Sequence, residues 1–384
     1  MKAPNVIPLS PSVLIWARES LGMTQREVAA KSKRPLAEVH AWEAGEAVPS
    51  FAQLERLAAD VYKRPLAVFF MKEPPEVPSL EQEFRTLDSA EVGRLSRKTR
   101  LAIRQFKARQ LYLEDLFGSD SFERSGLSRL RVSAYSDPVE TAAAVRRTLD
   151  FGLAEQRGCS ESREVFNLLR GRLESQRVFT FQLSLDGIRG VALYDEHFPV
   201  IGIDSSDHHG ARLFTLAHEL GHILVKLSDF LDQRATYDAH SRLERFCNAF
   251  ASELLLPGDS FSRELEAYRA DRDVDRPLDI VRDTSRAYGV SHTVVARRLL
   301  DRGVIDQDTY AEMAKQFTTW HLASKAKQKE KPGKPSYYIT KRSQLGSGYV
   351  DRAFELLDRG ALDTATAADM LGVKIDNLSK LSDR

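Results

Sequence analysis

Cysteine is nearly missing from this chain: Cys159 and Cys247 are the two present among 384 residues. Two thiols cannot build a disulfide framework for a chain this long, which points to a reducing, cytoplasmic compartment. Long apolar runs are missing too. No stretch approaches 18 uncharged apolar residues, and MKAPNVIPLSPSVLIWARES at the start has no cationic segment leading into a long apolar one. Neither membrane spanning nor export is expected. An excess of one charge is also lacking, with 56 Lys and Arg against 55 Asp and Glu for a net charge of +1. That balance excludes a histone-like coat for nucleic acid and confines any such contact to a local patch. No tandem repeat of fixed period occurs, so a solenoid is excluded. The remainder, 42% hydrophobic and 29% charged, suits a globular chain of two or three domains with a sizeable core.

Punctuation along the chain divides it. Residues 10–75 read as short helices, with Leu14, Ala17, Leu21, Val28 and Ala29 at helical spacing and Gly22, Gly45 and Pro49 between them. Pro74, Pro75 and Pro78 mark a boundary near residue 76, because none of them continues a helix. Helical periodicity then covers 89–117, 139–149 and 161–176. Strand-like segments first appear at 177–182, 190–194 and 199–203, rich in Val, Ile, Phe and Tyr, just ahead of a helix over 211–225. The stretch 325–342 holds seven basic residues and one acidic, with Pro332, Gly333 and Pro335, and reads as a linker. Beyond it the last forty residues form a small helical module. The expected domains are therefore 1–75, 76–310, a basic linker 311–345 and 346–384.

Chemistry concentrates in His218-Glu219-Leu220-Gly221-His222. Residues four apart share a helix face, so the two imidazoles can meet one metal with Glu219 beside them. Leu213, Leu216, Leu220 and Leu224 give this helix a buried stripe. A catalytic zinc site takes three protein ligands and leaves a fourth position for water. Glu244, 22 residues beyond His222, is the candidate third ligand; Ser241 and Glu244 also fit a capping box. Glu253 is a rival, but nine residues at about 100° each put it on nearly the opposite face from Glu244. Asp238 and His240 are weaker rivals. With Zn2+ in place, Glu219 would take the proton of the attacking water and pass it to the leaving amine. Tyr237 and His240 are candidate oxyanion donors, His208 and His209 read as solvated loop residues, and a peptide substrate would lie along the sheet edge.

FTFQLSLDGIRGVALYDEHFPVIGIDSSDHHGARLFTLAHELGHILV, with ERFCNAFASELLLP after it, closely resembles the ImmA/IrrE-type zinc metallopeptidases over roughly residues 80–310. The resemblance implies a gluzincin-like metallo-endopeptidase with ligands His218, His222 and Glu244 and general acid/base Glu219. Cys247 stands where that family usually has Ala, and Asp204 where Asn is usual. MTQREVAAKSKRPLAEVHAWEAGEAVPSFAQLERLA resembles the helix-turn-helix of phage-repressor (XRE-like) type. Thr24, Gln25, Lys33, Arg34 and His40 are its candidate DNA-binding residues. Its reading positions, Pro35 to Ala41, offer almost no donor for base edges. Residues 10–71 carry eight basic and seven acidic side chains, short of a basic footprint. Protein interaction is the competing role for this module. A second helix-turn-helix-like stretch, 287–305, either completes the protease core or offers Arg297, Arg298 and Arg302 to phosphate.

The expected fold is α+β and mostly helical: an N-terminal five-helix helix-turn-helix domain, a zincin-like metallopeptidase domain with a small sheet, and a C-terminal helical module. The resemblance suggests a cytoplasmic regulator that cleaves a helix-turn-helix repressor or an antitoxin in a mobile-element, toxin–antitoxin, stress or phage-defence system. A toxin from the same locus is a possible partner, as is DNA through residues 10–71; no membrane is involved. The alternative is a transcriptional regulator or antitoxin whose peptidase fold only senses or binds.

Overall fold

The computed structural model describes residues 9–76, 89–118, 126–227, 237–271, 277–330 and 336–382. They are α+β and mostly helical, in two compact units: Met1–Gln105 with Asp186–Ile188, and Phe106–Leu185 with Arg189–Arg384. No described helix is long and apolar enough to cross a membrane.

The first unit opens with α1 (Pro11–Glu19), α2 (Gln25–Ser32), α3 (Leu36–Ala44) and α4 (Phe51–Arg56), which runs on as a π-helix over Leu57–Tyr62. Sequence sets these boundaries. Thr24 with Glu27, and Ser50 with Gln53, form capping boxes at the starts of α2 and α4. Gly45 ends α3 with φ +76°, a left-handed position that a Cβ disfavours. A buried polar clamp joins three helices: Arg18 donates to Glu43 at 2.8 Å and 3.0 Å, and Gln25 Nε2 to Glu43 at 2.9 Å. In place of a fifth α-helix stands a 3₁₀ turn, Leu66–Phe70, because Pro65 leaves only five residues before Met71 extends. The unit continues past residue 75 into α5 (Ser89–Arg94) and the part of α6 (Arg97–Phe117) up to Gln105. Leu101 packs on its core, and arginines of α6 hold the carbonyls that end the π-helix. Residues 77–88, with Pro78 of the expected boundary, lie outside the described residues.

The second unit is built on a three-stranded sheet, β1 (Phe179–Leu183), β2 (Gly190–Leu193) and β3 (Val200–Asp204), in the order β1-β3-β2. β3 pairs parallel with β1 and antiparallel with β2, with Phe179 opposite Val200 and Gly190 opposite Ile203. Central β3 is buried throughout. Gly202 admits the Phe106 ring, which lies where a Cβ would be, 2.3 Å from that position. Ahead of the sheet in sequence come α7 (Pro138–Thr148), α8 (Leu153–Gly158) and α9 (Ser162–Ser175), of which α9 packs against β1. The chain then continues through α10 (His209–Leu227), α11 (Tyr237–Leu255), α12 (Gly258–Asp271), α13 (Pro277–Tyr288), α14 (His292–Asp301) and α15 (Gln307–Glu330).

The 287–305 stretch completes this core. Arg298, on α14, donates to Glu253 at 2.5 Å and to the Leu256 carbonyl at 3.2 Å, and Glu253 accepts from the Gly258 amide at 2.9 Å. Arg302 donates to Ser262 at 2.6 Å and to the Gly258 carbonyl, while Arg297 pairs with Asp301. The rival ligand Glu253 is thus occupied at the far end of α11.

The 311–345 stretch, read as a linker, is helical over Gln307–Glu330 and again in α16 (Tyr337–Leu345). Its Ala, Gln and Lys residues are strong helix formers, and Met313 and Phe317 give α15 a buried side. Pro332, Gly333 and Pro335 lie outside the described residues. The last helices, α17 (Ser347–Asp358) and α18 (Thr364–Leu371), pack with α16 beside β1 and α9. Buried Arg170 donates to the Ser343 carbonyl at 2.6 Å and to Glu174 at 3.0 Å, and Glu174 accepts from the Gly348 amide. Tyr349 meets Phe181 edge-on at 5.1 Å.

Removing one partner of a buried ion pair strands the other charge at a cost of about 3–5 kcal/mol. Arg298→Ala is expected to lose that much in urea denaturation, whereas Arg297→Ala, at an exposed pair, changes stability by less than about 0.5 kcal/mol. Equal effects would contradict the assignment of Arg298 to the core.

Candidate metal centre

The site is made by two helices that approach closely. Gly221 lies against Cys247: a Cβ there would fall 3.0 Å from the thiol sulfur and 3.3 Å from the Cys247 Cα. Glycine at the fourth position of HELGH therefore lets α10 and α11 come together, and the small Cys247 fills the space opposite. Its burial, with the charges of Glu244 and Glu219, pushes the thiol up, so Cys247 is a protonated packing residue. His218 and His222 lie along one face of α10 and meet edge-on, with ring centroids 5.0 Å apart.

Across the junction Glu244 spans both imidazoles, with Oε2 3.3 Å from His218 Nε2 and Oε1 3.2 Å from His222 Nε2. The two Nε2 atoms are 3.2 Å apart. Zinc bound tetrahedrally at 2.0–2.1 Å separates its ligand atoms by about 3.3 Å. The three side chains present that spacing, so the donor set fits such an ion; it is the one metal-ligand cluster among the described residues. The side chains of His222, His218 and Glu244 are 9%, 16% and 36% exposed, so the site opens to solvent on the Glu244 side.

Charge couples the cluster. Burial pulls His218 down, but the hydrogen bond it donates to Glu244 and the charges of Glu219 and Glu244 outweigh it and raise the imidazole above its ordinary value. Burial would raise Glu244, yet the two imidazoles hold it well below the usual carboxylate range. Glu219 moves the other way: desolvation raises its carboxyl, aided by Glu244 and opposed by the two histidines.

Glu219 owes its position to a residue that sequence reasoning missed. Gly190, the first residue of β2, faces the HExxH helix, and a Cβ there would fall 2.8 Å from Glu219 Oε1 and 2.5 Å from Thr215. The signal was a glycine opening a strand, which often marks close approach of another group. The Asp204 amide donates to the Arg189 carbonyl at 2.8 Å. By antiparallel alternation, Gly190 and Ala192 then turn their N–H and C=O groups away from β3 toward a free edge. Arg212 fixes the start of α10, donating to the carbonyls of Asp207 and Ser205 and to Gln182 Oε1 at 2.9 Å. His208 caps the same end, its Nδ1 accepting from the Ala211 amide at 3.1 Å. His209 begins the helix partly buried, and burial lowers it to about 4. Asp204, the other departure from the family pattern, closes the turn after β3 by accepting from the amides of Leu185 and Ser206. The side chains of Tyr237, Asp238 and His240 lie outside the described residues.

In the helix-turn-helix, Thr24 caps α2 and Gln25 is committed to Glu43. Arg34 is held by Glu38 at 2.8 Å, while Lys33 and His40 stand exposed. The five candidate DNA-binding residues therefore do not form one free reading face.

Wild-type protein is expected to carry close to one zinc per chain by metal analysis, and His218→Ala to lose most of it. Full retention by that variant would remove His218 from the ligand set.

Residues 173–300 match the peptidase M78 family, the IrrE N-terminal-like domain, and residues 14–60 match a helix-turn-helix family. No curated protein gave a significant match. The chain thus joins an N-terminal helix-turn-helix domain of the XRE type to an IrrE N-terminal-like domain of metallopeptidase type.

Proposed function

We propose that the segment 76–310 is a zinc-dependent endopeptidase that cleaves a regulatory protein, a helix-turn-helix repressor or an antitoxin, in a stress, mobile-element, toxin–antitoxin or phage-defence setting. The observation that carries the reading is the tetrahedral spacing of His218, His222 and Glu244 with Glu219 beside it and not in the ligand set. Zinc, when bound, supplies Lewis-acid polarisation of the scissile carbonyl and acidifies water. Glu219 accepts the proton of the attacking water and returns it to the leaving amine, and desolvation, which raises its carboxyl, makes it the stronger base for that role. An extended substrate adds to the free edge at Gly190 and Ala192, which draws its main chain past Glu219. The other outer strand, β1, is flanked by α16, which favours β2 as the receiving edge.

Glu219→Gln keeps both imidazoles and Glu244 and is expected to retain zinc while slowing cleavage about 10²–10⁴-fold. Gly190→Val, which drives a side chain into Glu219 and Thr215, should likewise spare zinc and depress cleavage. The assay uses the repressor or antitoxin encoded beside this chain, with products identified by mass spectrometry. Cleavage by Glu219→Gln at the wild-type rate would remove the proposed base. No cleavage by zinc-loaded wild type, with stable binding instead, would favour a sensor or binding role for the peptidase fold.

The helix-turn-helix domain contacts DNA weakly in this reading, since Arg34 is paired and Gln25 is committed within the domain. Full-length protein is expected to bind duplexes of unrelated sequence with similar affinity, with Kd on the order of 10⁻⁴–10⁻⁶ M at physiological salt. A nanomolar, site-specific footprint would overturn this.

A further inference from the structure

Three arginines of the first unit meet where α4 and its π-helical extension end. Arg97 Nη2 donates to the carbonyls of Asp60 at 3.3 Å and Val61 at 2.5 Å. Arg104 Nη2 donates to the carbonyls of Tyr62 at 3.0 Å and Lys63 at 2.6 Å. Arg64 lies over the Trp16 ring, 4.4 Å from its centroid. The helix end accounts for part of this arrangement, because terminal carbonyls and the negative end of the helix dipole attract cations. One guanidinium would satisfy that need.

Two features remain beyond capping. Each of the three guanidiniums keeps a donor shut away from solvent without an acceptor: Arg64 Nε, Arg97 Nε and Arg104 Nη1. Buried donors left unpaired are costly, and more so on a charged group. Among the described residues no carboxylate compensates the charges. Burial lowers Arg64 and Arg97, and burial together with repulsion from Arg64 and Arg97 lowers Arg104 to about 10. These three half-buried cations, with donors to spare, have no anion beside them among the described residues. The helix beneath them is π-helical over Leu57–Tyr62 and closes on Lys63 with φ +52°, a rare geometry that recurs at functional sites.

The geometry points to a binding site for a small phosphate-bearing anion, of the pyrophosphate or oligophosphate class, formed by Arg64, Arg97 and Arg104 at the end of the π-helix. Planar guanidinium forks match phosphate oxygens, and three of them suit a ligand with more than one anionic group. A compact ligand is favoured over a nucleic-acid backbone because the three guanidiniums are half-buried at the end of the π-helix rather than spread over an exposed face. All three arginines also lie outside residues 14–60 of the helix-turn-helix match. Arg64 already covers Trp16, so the ring reports on the site.

The experiment titrates full-length protein with sodium pyrophosphate, and separately with inorganic phosphate, by calorimetry and tryptophan fluorescence. Saturable pyrophosphate binding is expected, tighter than for phosphate, with a fluorescence change that disappears in Trp16→Phe. Arg104→Gln and Arg97→Gln are expected to weaken it at least about tenfold. Both residues also cap the π-helix, so Arg104→Lys is measured alongside: it keeps the charge and one capping donor but loses the fork, and should still weaken binding. Absence of saturable binding to wild type would overturn the proposal, as would unchanged affinity in Arg104→Lys. A random-sequence DNA duplex that displaces pyrophosphate, and whose own affinity falls in the same variants, would reassign the cluster to nucleic-acid backbone contact and equally overturn it.

Discussion

The close approach of α10 and α11 at Gly221 is the constraint on which the metal centre depends. An α-helix fixes the relation of His218 to His222 without outside help, because four residues bring two side chains back to one face. The third ligand sits on another helix, and nothing in HELGH itself fixes its distance. That distance is set where the Gly221 backbone rests on Cys247. A Cβ at 221 would lie 3.0 Å from the Cys247 sulfur, tight enough that the two helices would have to give by about a few tenths of an ångström at the junction that sets the Glu244 distance. Cys247 is thereby explained as packing; with its thiol held protonated by burial, it is a poor ligand.

Further contacts hold these helices in place from outside. Gln156, fully buried, donates to the Leu255 carbonyl at the end of α11 and to the Tyr288 carbonyl at 2.9 Å. Arg146 donates to Gln156 and to the Leu254 carbonyl. With Arg298, which donates to the Leu256 carbonyl, they satisfy carbonyls that a helix end leaves open. Gln182 links the start of α10 to the C-terminal helices, accepting from Arg212 and donating to the Ser343 carbonyl at 3.1 Å. An arginine has no acceptor and a carbonyl no donor, so the amide has one orientation that serves both. The C-terminal helices are therefore joined to the same polar framework that carries the HExxH helix.

Periodicity and spacing made part of this legible. The sheet, the HExxH helix and the opposition of Glu244 and Glu253 followed from the period of a helix or strand, and the structure puts Glu244 beside the histidines and Glu253 with Arg298. Gly190 was not legible in that way, since its need arises from Glu219, 29 positions on. The roles of Gln156 and Arg170 are not legible in sequence because they bond carbonyls far along the chain, and Arg298, which the sequence also offers to phosphate, is taken up by Glu253 45 positions before it. The stretch 311–345 misled for a different reason. A run of Lys with Gln and Ala reads as solvated chain or as helix with equal justice, and Met313 and Phe317, spaced by four, decide it by finding a core to enter.

The helix-turn-helix shows how net charge conceals charge distribution. Its balance predicts a domain without a basic footprint, and at the recognition helix that holds: Arg34 is matched by Glu38, and Arg18 by Glu43. Acidic side chains there neutralise the basic ones pair by pair. Beyond the end of the sequence match, Arg64 joins Arg97 and Arg104 from α6; Arg64 and Arg97 repel Arg104, and among the described residues carbonyls and an indole ring face the three. A fold that pairs its cations at the surface expected to meet DNA, yet gathers three beside a π-helix with no described carboxylate among them, concentrates positive charge away from the reading helix. Association with an anion would then act on the junction between the π-helix and α6, while the α2–α3 surface stays nearly neutral.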